Sequence, residues 1–193
     1  MDLTEGTLKE KNIRAKKMML WFGIGSLIMS FAGLTSAVVV SSKRPDWLKE
    51  FQLPDAFLIS TIIIILSSIC LILAKKALKS NKRLATTLWL LVTFVLGISF
   101  ILSQFIGFSQ IVESGYNFTG PTSNVTMSFI YVIAFAHIVH VLAGLISLFL
   151  VIYYHFKNEY NASNMLGFEL SATFWHFVDG LWLFLFLFLY FFK

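Results

Sequence analysis

Five long stretches of the chain hold almost nothing but apolar residues, and short polar segments separate them. They cover about 18–42, 56–74, 84–110, 125–154 and 168–192. An α-helix rises about 1.5 Å per residue, so about 20 residues cross a hydrocarbon core near 30 Å thick. Each stretch reaches that length or nearly so. A spanning β-strand would instead alternate apolar and polar residues over about ten positions. The runs Ile62 to Ile65 and Leu181 to Phe192 do not alternate. The pattern predicts an all-α fold, a polytopic transmembrane bundle of five helices that forms a single membrane domain over residues 1–193.

Composition agrees with that pattern. Of 193 residues, 58% are hydrophobic and 13% charged, where a soluble domain is about a quarter charged. One cysteine, Cys70, lies inside an apolar run and has no partner for an intrachain disulfide. The net charge of +5 would suggest nucleic acid in a soluble protein. Here the basic residues flank apolar segments, so no nucleic-acid partner is expected and the charges report orientation. Eleven Lys and Arg fall before the first span and in the second and fourth connections, against four on the other side. Positive residues favour the cytoplasmic side, which predicts the N-terminus inside and the C-terminus outside. The first apolar run is too long for the core of a cleavable signal, and more spans follow it. The connections are too short to house a catalytic domain. Asn117-Phe118-Thr119 fits a glycosylation triplet and is read as a chance match.

Polar groups at bilayer depth are costly and mark sites by default. The fourth span carries His137, His140, Gly144 and Ser147, spaced to share one helical face. The fifth carries Glu169, His176 and Asp179, again on one face. Measured along the helix from the inner ends, His140 lies at about 21 Å and Asp179 at about 15 Å. The two stripes are therefore expected to meet in a buried polar cluster of His137, His140, His176 and Asp179, with Glu169 near the inner interface. Its expected role is internal hydrogen bonding between helices, or contact with a lipid head group. Imidazoles also suit metals and haem, but two histidines three residues apart cannot hold one haem from opposite faces. A proton path would need polar groups across several spans, and the first three have no ionisable residue inside the core. No catalytic, cofactor-binding or metal residues are assigned. Gln104 is a candidate for bonding to a neighbouring helix. Trp175 and Trp182 are expected to pack against lipid or a partner.

At these residues the chain resembles subunit III of the haem–copper oxidases, the cytochrome c or quinol oxidase family. Gly167-Phe168-Glu169 followed by Trp175-His176-Phe177-Val178-Asp179 and Trp182-Leu183-Phe184 resembles the family's signature in the last span. His137-Ile138-Val139-His140-Val141 with Gly144 resembles its H-x-x-H-V-x-x-G pattern. Gly97 and Gln104 match more loosely. The chain looks like the short, five-helix bacterial form, since the longer members have seven spans. Two departures stand out. The family often has a carboxylate in the span that matches the first one here, where Met29-Ser30-Phe31-Ala32-Gly33 has none. An acid commonly follows the third-span glutamine, where Gly107-Phe108 stands here.

The resemblance implies an accessory, non-catalytic subunit of a respiratory terminal oxidase, a cytochrome c oxidase, in the bacterial cytoplasmic (inner) membrane. Haem and copper are then expected in the partner subunits I and II, with no cofactor in this chain. Membrane phospholipids are expected partners, as is another subunit replacing the absent first two helices. The implied role is to stabilise the catalytic subunit and bind lipid during oxygen reduction and proton pumping. The alternatives are the related five-span protein associated with nitric oxide reductase and an independent membrane transporter.

Overall fold

The computed structural model describes residues 7–48, 53–118, 120, 123–160 and 164–192. Lys49 and Lys193, two of the four basic residues on the less basic side, and Thr119 of the glycosylation triplet lie outside them. The described residues form five helices: α1 (Leu8–Ser41), α2 (Asp55–Lys79), α3 (Arg83–Glu113), α4 (Val125–Phe156) and α5 (Leu166–Phe191). All five are long and apolar enough to cross a membrane. Four begin or end within a few residues of the expected spans. The exception is α1, which starts ten residues before its apolar run. Thr7 caps it: its hydroxyl accepts from Glu10 N at 3.3 Å, and Glu10 Oε2 accepts from Thr7 N at 2.9 Å. This reciprocal pair satisfies two donors of the first turn. At 34 residues α1 is about 51 Å long, well beyond a hydrocarbon core.

Tertiary contacts fix which helix ends lie together. At one end Ala56 N donates to Gln110 Oε1, and Leu48 N donates to Thr126 Oγ1 at 3.0 Å. Asn124 caps α4 through Oδ1 and donates from Nδ2 to Asp46 O. Arg44 grips Asp46 at 2.9 Å, and that hydrogen bond holds the exposed Asp46 carboxyl below its usual range. This end, the Asn124 end, joins the close of α1 and α3 to the start of α2 and α4. At the other, the Lys82 end, Arg83 Nη2 donates to the carbonyls of His155 and Phe156. An arginine there meets the negative end of α4. Lys75 and Glu169 form an ion pair at 3.4 Å between α2 and α5. The turn from α2 to α3 is tight, and Asn81 takes a left-handed φ of 52° within it.

The helices pack unevenly. α2 and α3 form the closest pair, α5 lies against α2 and α4, and α3 lies against α4. Among the described residues α1 meets just α4 and α5. The main core runs through α2–α5, and a smaller one seats α1 through Leu27, Phe31 and Val38. Outside, large apolar side chains face away from the bundle, Phe22 and Met29 among them. A soluble surface seldom exposes so continuous an apolar area; hydrocarbon removes the cost.

Candidate functional site

α5 is the keystone of the bundle. Trp175 and Trp182 are both 1% exposed, and they stand two helical turns apart. The Trp175 indole N–H donates to Ser67 Oγ of α2 at 3.1 Å. Its ring fills space against Gly97 of α3 and Gly144 of α4, where an added Cβ would come within about 3 Å of it. Trp182 repeats the arrangement. Its N–H donates to Thr61 Oγ1 of α2 at 3.0 Å. Its ring packs on Phe57 of α2, Phe100 of α3 and His137 of α4, with centroids 6.0, 5.3 and 5.0 Å away. Each tryptophan thus touches three other helices. Both were expected to face lipid or a partner. They face inward instead, because a buried indole needs an acceptor and α2 offers one at each level.

Serine and threonine of α2 were the part of the site that hydropathy passed over. Ser60, Thr61, Ser67 and Ser68 fall in two pairs, seven residues apart, so they recur on one face every two turns. Ser60 Oγ accepts from Gln104 Nε2 of α3 at 2.7 Å, which gives Gln104 the helix–helix bond expected of it. Ser68 shares a hydrogen bond of 2.5 Å with His176 Nδ1. Hydroxyls score as nearly neutral on hydropathy scales, yet they can accept from a neighbour while donating to their own helix. Thr61 does so, bonding Phe57 O at 2.8 Å.

The polar residues of α4 and α5 have different partners. His137 is fully enclosed, ringed by Phe31, Phe100 and Trp182. Neither of its ring nitrogens has a hydrogen-bond partner among the described residues. His140, one turn on, lies edge-on to Phe31 at 5.7 Å and donates from Nδ1 to Ala136 O at 2.7 Å. His176 and Asp179 turn instead toward α2, with Ser68 as the polar neighbour of both. Asp179 is 5% exposed, and its oxygens have no hydrogen bond of good geometry among the described residues. No hydrogen bond links the histidines of α4 to His176 or Asp179 among the described residues. Glu169 stands apart at the Lys82 end, paired with Lys75. On α1, Phe31 faces both histidines of α4. No group of three or more His, Cys, Asp or Glu among the described residues could hold a metal ion.

Five spanning helices, locked by inward tryptophans of the last, define a polytopic helical membrane protein. The profile of the family Cytochrome c oxidase subunit III matches residues 17–193. The chain belongs to that family. It is 28% identical to the cytochrome bo(3) ubiquinol oxidase subunit 3 of Buchnera aphidicola over 190 residues, 95% of each chain. It is 28% identical to the cytochrome c oxidase subunit 3 of Bacillus sp. strain PS3 over 188 residues, 95% of this chain and 87% of that one. The cytochrome c oxidase subunit 3 of Drosophila melanogaster is 34% identical over 140 residues, which is 72% of this chain but 50% of that longer one.

Proposed function

We propose that the chain is the accessory, non-catalytic subunit III of a respiratory haem–copper terminal oxidase, of the cytochrome c type, in a bacterial inner membrane. The observation that carries this reading is the keystone itself. The family's last-span residues Trp175 and Trp182 are spent on holding α2, α3 and α4 together, and the residues between them meet a serine rather than a reaction centre. A rigid apolar bundle of this kind suits a subunit that braces another and holds lipid around it. Its partners are then subunits I and II, which carry haem and copper, with a further helix-bearing subunit where the longer relatives have extra chain. The Lys82 end, rich in lysine, lies on the inner side, and both ends of the bundle meet phospholipid head groups.

Purification in mild detergent tests this. The chain is expected to bring down haem-bearing subunits with oxygen-reducing activity, and to consume no oxygen when isolated from them. Recovery alone, with no haem protein at any detergent strength, would overturn the assignment.

A further inference from the structure

A groove of about 440 Å³ runs between α1 and α5. Its walls are aromatic and aliphatic, with Phe31 from α1 and Phe177 and Phe184 from α5. Its floor is kept open by Gly180, where an added Cβ would meet nothing within 4 Å. His176, one turn below Gly180, lines the same groove. Thr35 lines it too, but its hydroxyl is turned back onto Phe31 O. Ser68 holds His176 by Nδ1, and the buried Asp179 stands behind that serine. Nε2 is left without a partner among the described residues, and it is not enclosed. A ring nitrogen facing hydrocarbon is costly, so this nitrogen calls for a hydrogen-bonding group from outside the chain.

Depth narrows what that group belongs to. His176 lies seven residues beyond Glu169, about 10 Å further along α5 than the ion pair at the Lys82 end. That is inside a hydrocarbon core about 30 Å thick, about a third of the way across it. The esters and phosphate of a glycerophospholipid sit at the interface and do not reach it. A flat ring bearing carbonyl or hydroxyl groups on an apolar tail does. The volume falls within the range of about 300–1,000 Å³ usual for small-molecule sites, which are mostly apolar with few placed polar groups. We propose that the groove between α1 and α5 binds a lipid-soluble quinone or quinol, its ring between the phenylalanines and one ring oxygen on His176 Nε2.

The full chain in nanodiscs of zwitterionic lipid, exposed to a photoreactive azidoquinone, tests the site. Labelling is expected to saturate, to map to 28–35 and 176–184, and to be displaced by unlabelled decylubiquinone. Gly180→Leu fills the floor without a clash inside the bundle, so it is expected to fold normally and to cut labelling at least tenfold. His176→Phe keeps the bulk and removes the nitrogen, with a similar loss expected. Labelling that never saturates, or that Gly180→Leu leaves unchanged, would overturn the proposal. Equal capture of an azidoalkane without ring oxygens would do the same, as would occupation of the groove by a polar side chain of a partner helix in the purified complex.

Discussion

At the scale of single residues, the bundle turns on how closely Trp175 is held. A methyl group at position 97 would stand 2.7 Å from the Trp175 ring and 2.8 Å from Leu145 Cδ2. The tryptophan cannot swing away without breaking its bond to Ser67. Gly97→Ala is therefore expected to destabilise by about 1–3 kcal/mol, the usual cost of overpacking. Gly33→Ala, where an added Cβ meets nothing within 4 Å, is the control and should leave the thermal transition unchanged. The indole bonds can be isolated in the same way. A cycle of Thr61→Val and Trp182→Phe is expected to return a coupling near 0.6 kcal/mol and no more than about 1.7, as found for hydrogen bonds between membrane helices. Zero coupling in reversible unfolding would mean that the 3.0 Å bond is geometric company and nothing more. These contacts also mark a limit of sequence reading. The motif residues of α5 were legible as special, but inward or outward was not, because a tryptophan suits lipid and protein alike. The answer lay in Ser67 and Thr61, two ordinary-looking hydroxyls more than a hundred positions away.

At the scale of elements, hydropathy located the five spans well because the bilayer imposes one length on them all. It does not mark where α1 begins, since apolarity ends where the hydrocarbon ends and the helix does not. The Thr7-Leu8-Lys9-Glu10 pattern of a capping box lies in the sequence, outside the apolar run. Thr7→Ala is expected to fray the first turns of α1 at a local cost of about 1 kcal/mol. Amide exchange should rise from Leu8 to about Arg14 and stay unchanged from Phe22 onward. A shift in the unfolding of the whole bundle would instead mean that this extension is packed against more than the structure shows. The sequence also led to a single polar cluster between α4 and α5. Helical spacing puts His137 with His140 and His176 with Asp179 on their own helices, but spacing cannot fix how two helices are rotated about their axes. In the structure the Trp182 ring packs beside His137, while His176 and Asp179 meet Ser68.

At the scale of the whole molecule, the two ends differ most in charge, and this makes direction across the membrane testable. The Lys82 end carries Lys76, Lys79, Lys82, Arg83 and Lys157, with Lys75 engaged by Glu169, together with the basic start of α1. Near an anionic inner leaflet each such residue contributes about 1 kcal/mol. The Asn124 end offers Lys43 and Arg44 among its described residues, and Arg44 is already engaged by Asp46. The bias therefore sums to several kcal/mol in favour of the Lys82 end inside. Single cysteines in a Cys70→Ala background report it directly, because Lys82 and Glu113 are exposed at opposite ends of α3. In right-side-out vesicles, Glu113→Cys is expected to react at once with a membrane-impermeant maleimide. Lys82→Cys should react after permeabilisation alone. The opposite order would put the basic end outside, and the positive charges would then have to be held by a partner subunit rather than by the membrane.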